Sequence, residues 1–160
     1  MNRRQSLTLG LTVALVLVAL DQLSKWWVVA KLMSPPRVIE LAPFANLVMV
    51  WNTGITFGLF GDTHWGRWAF AGLALAIVAI LVSWLSRAVY RRTALALGLV
   101  IGGAIGNVID RIRWGAVADF LDFHVAGWHW PAFNLADSAI VVGVGLLLLE
   151  ALFGRKETLS

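Results

Sequence analysis

Nine acidic side chains occur among the 160 residues, and several stand in or beside apolar runs. Asp21 falls in ALDQLSK, Asp110 in GNVIDR, Asp119 and Asp122 in VADFLDF, and Asp137 in FNLADS. The last motif runs directly into the aliphatic stretch AIVVGVGLLLL. An ionised carboxylate at such a place is costly to desolvate unless a partner compensates it. Two carboxyl groups held close together cannot both ionise cheaply. They share a proton, so that one can activate water while the other polarises a carbonyl.

Other chemistries find little support. The chain has no cysteine, which excludes a disulfide framework, a cysteine zinc site and a thiol nucleophile. No serine stands in a nucleophile elbow, and there is no HExxH. His124 and His129 with Asp119 or Asp122 match no familiar zinc spacing, so no metal is expected. Paired carboxylates, the aspartic-protease arrangement, require no cofactor.

Each polar group also has a plain structural role open to it. Asp21 and Lys25 share a helix face at i,i+4 and can form an ion pair. Asn107 and Asp110 share a face at i,i+3, with Arg111 and Arg113 close enough to neutralise the acid. In an extended VADFLDF, Asp119 and Asp122 point to opposite faces, and at least one has its carboxyl raised by desolvation. Asn134 and Asp137 have the spacing of a helix N-cap and its third helical residue, where the helix N-terminus favours a carboxylate. Asn52 and Gly54 are turn formers. Gly102 and Gly106 form a GxxxG that lets a second helix approach.

The elements that must hold these residues are membrane spans. The chain is 59% hydrophobic and only 14% charged, too apolar for a soluble domain of this size. Four segments, about 7–27, 68–86, 93–110 and 134–153, supply the roughly 20 residues that a bilayer core requires. MNRRQS before an apolar run resembles a secretory signal, but the run passes into DQLSKWW without a small-residue cleavage site and is kept as span one. Arg3 and Arg4, then Arg87, Arg91 and Arg92, then Arg155 and Lys156 fall on one side, expected to be the cytoplasm. The net charge of +4 therefore reports topology rather than nucleic-acid binding. Loops at about 33–64 and 114–133 are then external, and they carry Trp51, Trp65, Trp114, Trp128 and Trp130, suited to the membrane interface. VIEL and LVMVW in the first loop predict a small sheet resting on the membrane. The expected fold is a single all-α membrane domain over 1–160, with four spans, a small extracytoplasmic sheet and interfacial loops. Span one brings Asp21 to the outer side, span three brings Asn107 and Asp110, its trailing segment brings Asp119, and span four brings Asn134 and Asp137. Carboxylates gathered at one depth point to a site.

DQLSKWW, NTGITFG, GNVIDR, VADFLDF and FNLADS, in this order on four spans, closely resemble the lipoprotein signal peptidase (signal peptidase II) family of bacteria. The resemblance implies an intramembrane aspartyl endopeptidase that cleaves prolipoproteins N-terminal to a diacylglyceryl-modified cysteine. It implies Asp119 and Asp137 as the catalytic pair, a choice that the residues alone leave open among Asp110, Asp119 and Asp122. It implies orienting or substrate-contacting roles for Asn107, Asp110, Arg111 and Asn134, and supporting or binding roles for Asp21, Lys25, Asn52 and Gly54. The implied setting is the bacterial cytoplasmic membrane with both termini inside, the partners are lipid-modified prolipoproteins and membrane lipid, and a monomer suffices. With Asp119 between apolar residues and Asp137 at a helix start, Asp137 is expected to be the general base and Asp119 the proton donor. Ile55 and Thr56 stand where many members have alanine, which bears on how the outer sheet meets substrate.

Two other classes are weighed against this one. An ion-coupled carrier would carry charges at mid-bilayer and often an inverted repeat, neither of which is seen. An assembly factor using the GxxxG would tolerate loss of Asp119 or Asp137. The topology is open to direct test. On the cysteine-free background, a Tyr90→Cys variant should resist impermeant thiol reagents added to intact cells; external labelling would reverse the assigned orientation.

Overall fold

The computed structural model describes residues 1–54 and 65–153. Ile55 and Thr56, Arg155 and Lys156, and the side chain of Trp65 lie outside what it describes. Four helices are long and apolar enough to cross a membrane. They are α1 (Arg3–Trp27), α2 (Trp65–Leu85), α3 (Arg91–Trp114) and α4 (Leu135–Phe153). Large aliphatics stay exposed on their outer faces, including Leu15, Ile80, Val141 and Leu152. In water such faces would be untenable; in lipid they are the matching surface.

Helix α1 begins with a capping box, in which the Asn2 side chain accepts from Gln5 N while the Gln5 side chain accepts from Asn2 N. It runs on past Trp27 through a single π-helical turn, Val28–Leu32, longer than the sequence periodicity suggests. Its buried stripe is Ser6, Gly10, Ala14, Leu17, Asp21 and Lys25, mostly small or apolar along the helix and charged towards its C-terminal end.

Helix α3 is the one on which α1, α2 and α4 all pack. The glycines of α3 make this possible. A Cβ at Gly98 would lie 2.5 Å from Gly10 O, and one at Gly102 would lie 2.8 Å from Ala14 O. On the other side, a Cβ at Gly103 would lie 2.5 Å from Ala136 O of α4. At Gly106 the occupant is not backbone but the Asp21 carboxylate, whose Oδ2 lies 2.5 Å from the ideal Cβ position. Backbone-to-backbone approach of this kind replaces hydrophobic burial as the packing force between helices in lipid. The GxxxG expected from the sequence is thus one segment of a longer seam.

A four-stranded antiparallel sheet, β1 (Ile39–Ala42), β2 (Ala45–Asn52), β3 (Val117–Val125) and β4 (Trp128–His129), is built from segments that follow the C-terminal ends of α1 and α3 and precede the N-terminal end of α4. VIEL and LVMVW supply β1 and β2, as expected, and VADFLDF joins them as β3. Helix α3 extends to Trp114, so Arg111 and Arg113 are helical, and Gly115 ends it in the left-handed region at φ 80°. Strand β3 therefore starts within three residues of the helix end. A bulge in β2 between Leu47 and Val50 changes its facing, so Asn46 and Asn52 serve opposite faces of the sheet.

The seam gives a direct expectation. Gly98→Ala should push α1 off α3 and destabilise the protein by about 1–3 kcal/mol. Gly72→Ala, where a Cβ meets nothing within 4 Å, should leave thermal unfolding in detergent unchanged or slightly raised.

Candidate active site

Asp119 reaches the site from β3, where it is almost fully buried at 1% exposure. Its Oδ2 accepts from Asn52 Nδ2 at 3.0 Å, and its Oδ1 accepts from Asn134 Nδ2 at 2.7 Å. Asn52 sits diagonally across the β2–β3 ladder, where it pairs with Val117. Its own Oδ1 accepts from Gly54 N at 2.9 Å, and Gly54 has φ 77°. Both turn residues therefore have a second use: the turn at the end of β2 aims the Asn52 amide at Asp119.

Asp137 arrives from the first turn of α4. The strand-like segment before it is pinned to β3, with Phe133 O accepting from Phe120 N and Leu121 N at 3.1 and 2.8 Å. Asn134 then caps the helix: its Oδ1 accepts from Asp137 N at 2.9 Å, and Asp137 Oδ2 accepts from Asn134 N at 3.2 Å. The capping pair read from the sequence is present. It does not exhaust Asp137, whose Oδ1 accepts from Asn107 Nδ2 at 2.7 Å. Asn134 thus binds both aspartates, Asp119 through its side-chain amide and Asp137 through its backbone N–H.

Beneath this pair lies a second polar group with no solvent exposure. Lys25 Nζ lies 2.9 Å from Asp21 Oδ2, 2.7 Å from Asp110 Oδ2 and 3.1 Å from Asn107 Oδ1. The side chains of Lys25, Asp21 and Asp110 are all wholly buried. Removing one partner from such a cluster leaves an uncompensated buried charge, which is far costlier than losing a surface ion pair. The remaining oxygens go to the backbone. Asp110 Oδ2 accepts from Ala118 N at 3.2 Å, and Asp21 Oδ1 accepts from Ala136 N at 3.1 Å. Each of these N–H groups belongs to the residue immediately before one of the two site aspartates.

Arg111 lies against the same site. Its Nη1 donates to Asn107 O at 3.2 Å, and its guanidinium stands 5.8 Å from the Phe70 ring of α2. It lies within Coulomb reach of Asp137, Asp110 and Asp119, and its Nε has no hydrogen-bond partner among the described residues. Phe70 also abuts Gly54, where an added Cβ would come within 3.2 Å of the ring.

Asp119 and Asp122, three residues apart on one strand, are driven in opposite directions. Burial pushes the Asp119 carboxyl up to about 6, with nearby Asp137 adding to the rise and the amides of Asn52 and Asn134 opposing it. Asp122 is held below the usual carboxylate range by the His129 imidazole, whose Nδ1 lies 2.9 Å away, and by the Asn46 amide at 3.0 Å. His124 stacks on His129 at 4.9 Å. No cluster suited to a metal ion is found among the described residues.

The ten residues to which the family resemblance gives roles meet in this one region, and Asp122, His124 and His129 lie on the other face of the sheet. Gln22, which donates to both Asp21 and Asp110, also belongs to the site, as do Phe133 and Phe70, while Asn46 serves Asp122, none of them expected from the sequence. A neutral amide beside Asp21 in DQLSK was the available signal for Gln22; nothing local marks the others. If Asp119 acts as proton donor, its loss of a proton should set an alkaline limb near pH 6 in kcat/KM. Asn52→Leu deletes a hydrogen bond that favours the carboxylate. The limb should then move up by about 0.5–1 pH unit, the equivalent of part of a charge-assisted hydrogen bond. An unmoved limb in a pH–rate profile would show that a different group titrates.

Comparison with known proteins places the chain in a family. The family described as signal peptidase (SPase) II matches residues 13–153. The chain is 46% identical over 151 residues to a lipoprotein signal peptidase of Methylobacterium sp. (strain 4-46), covering 93% of this chain and 92% of that protein. It is 47% identical over 149 residues to a lipoprotein signal peptidase of Paraburkholderia phymatum, covering 92% and 89% of the two chains. A solved bacterial membrane enzyme superposes with a TM-score of 0.77 at 29% identity, covering 94% of this chain and 93% of that one.

Proposed function

The chain belongs to the signal peptidase II family, and on that premise we propose that it removes signal peptides from prolipoproteins with Asp119 and Asp137 as its reacting pair. The observation that carries the pair is Asn134, which binds Asp119 at 2.7 Å through its side chain and Asp137 at 3.2 Å through its backbone N–H. One residue fixes both carboxyls relative to each other, as shared-proton chemistry requires.

Asp137, at the start of α4, takes a proton from a water molecule, and the water oxygen attacks the scissile carbonyl carbon. Asp119, the carboxyl raised by burial, gives its proton to the carbonyl oxygen. Collapse of the resulting gem-diol returns that hydroxyl proton to Asp119. The proton on Asp137 passes to the leaving nitrogen as the C–N bond breaks. The pair titrates as a unit, so any observed values are macroscopic. Asn52, Asn107 and Asn134 orient the carboxyls, and Arg111, whose Nε has no partner among the described residues, serves to contact substrate. Asp21, Lys25 and Asp110 support the backbone that carries the pair.

The bond cut is on the N-terminal side of a diacylglyceryl-modified cysteine. A substrate that stays in lipid suits four apolar spans with the site at their outer ends. The protein works as a monomer surrounded by membrane lipid, in the bacterial cytoplasmic membrane, with both termini inside and the site near the outer leaflet.

Incubating the purified protein with diacylglyceryl-modified prolipoprotein tests this assignment. Asp119→Asn and Asp137→Asn should each lower turnover by about 10²–10⁴-fold or more while remaining folded, since loss of a helix cap costs only about 1 kcal/mol. Unlipidated prolipoprotein should be a much poorer substrate, because each buried acyl CH₂ contributes about 0.8 kcal/mol. Near-normal turnover in either Asn variant would remove the pair; equal rates on both substrates would remove the lipid requirement.

A further inference from the structure

We propose, on the basis that Asp119 and Asp137 are the reacting pair, that Gln22 is a positioning residue acting on both of them through the buried Asp21–Lys25–Asp110 triad. Gln22 stands on α1 beside Asp21, half-buried against α3. Its Nε2 lies 2.9 Å from Asp110 Oδ1, 3.1 Å from Asp21 Oδ2 and 3.3 Å from Gly106 O.

The donor count in the triad explains why a neutral amide is needed. A lysine ammonium has three N–H groups. Those of Lys25 face Asp21 Oδ2, Asp110 Oδ2 and Asn107 Oδ1. Nothing of the lysine is left for Asp110 Oδ1, whose partner among the described hydrogen bonds is Gln22 alone. Both carboxylates are wholly buried, so water does not replace a missing donor.

Each carboxylate that Gln22 touches also holds one backbone N–H. Asp110 holds Ala118, just before Asp119, and Asp21 holds Ala136, just before Asp137. Gln22 is therefore two hydrogen bonds away from the backbone that aims each aspartate. If its amide is lost, the orphaned Asp110 oxygen turns toward Lys25 or toward Ala118 N, and the strand start that carries Asp119 turns with it. The route to Asp137 runs in parallel through Asp21. Gln22 reaches the reacting atoms only through these intermediaries.

Two variants separate positioning from simple attachment of α1 to α3. Gln22→Leu removes the donor. Gln22→Glu keeps the shape but donates only while protonated; once ionised it sets a third carboxylate against Asp21 and Asp110. The other charged groups facing this region are Lys25 on the same helix, Arg111 on α3, Asp119 on β3 and Asp137 on α4. The measurements are kcat, KM and pH–rate profiles on diacylglyceryl-modified prolipoprotein, with thermal unfolding in detergent.

Gln22→Leu should lower kcat by about 10- to 100-fold, the cost of a misaimed reacting group, with KM within about twofold. Gln22→Glu should approach the wild-type rate at the acid end of the profile and fall progressively below it as pH rises. The inference is overturned if both variants keep the wild-type kcat and profile. It is also overturned if Gln22→Glu runs parallel to wild type at every pH and only the unfolding temperature changes. If Gln22→Leu does not fold, the pH dependence of Gln22→Glu decides alone. Activity in Asp119→Asn or Asp137→Asn would instead remove the reacting pair, a failure read on different variants.

Discussion

A lysine ammonium buried at the end of a membrane helix is the interaction on which the rest of this protein depends. Lys25 has no access to solvent, so it is tolerable only if its charge and all its donors are matched. Asp21 on the same helix supplies one carboxylate and Asp110 on α3 supplies the other. Two carboxylates around one lysine leave an excess of acceptors, and the chain satisfies these with backbone N–H groups from two further elements, β3 and α4. Neutralising one cation therefore ties four elements to a single point. Asp119 and Asp137, the proposed pair, each stand one residue from that point. Electrostatic necessity and positional accuracy come from the same hydrogen bonds.

This cluster can exist only because the helices come unusually close. Had α3 carried any side chain at position 106, its Cβ would occupy the space of the Asp21 carboxylate. Had position 103 not been glycine, α4 could not bring the Ala136 backbone down onto α3. Small residues on α1 and α3 thus do two things. They replace hydrophobic packing in lipid, and they let short side chains such as aspartate bridge between helices.

Much of this was legible in the sequence because the bilayer simplifies the problem. Apolar length marks the spans, and polar residues that interrupt them are few enough to be counted. Asp21 with Lys25 and Asn107 with Asp110 share helix faces by spacing alone, and Asn134 with Asp137 has the form of a cap. Which carboxyls face one another was not legible, because that depends on contacts between distant parts of the chain. The bulge that turns Asn52 toward Asp119 leaves no local mark in LVMVW. Nor does the bridge from Phe133 to Leu121 that brings the start of α4 against β3. The resemblance to known peptidases supplied the choice of Asp119; β3 runs directly out of α3, so Asp119 lies near Asp110.

The contrast between Asp119 and Asp122 shows how one strand makes two different acids. Both stand between apolar neighbours in VADFLDF, and each accepts from an asparagine amide of β2. Local sequence therefore does not distinguish them. The strand's period of two sends them to opposite faces. On one face Asp122 meets the imidazole of His129, which is 54% exposed. On the other, Asp119 meets neutral amides and a second carboxylate, with burial opposing its charge. That second environment pushes the Asp119 carboxyl up to about 6, which suits the proposed donation to a carbonyl oxygen. The neutral asparagines around Asp119 and Asp137 suit the same proposal. A lysine or arginine bonded directly to the pair would draw both carboxyls into ionised salt bridges, and the nearest such lysine, Lys25, is held one hydrogen-bonded residue away, behind Asn107.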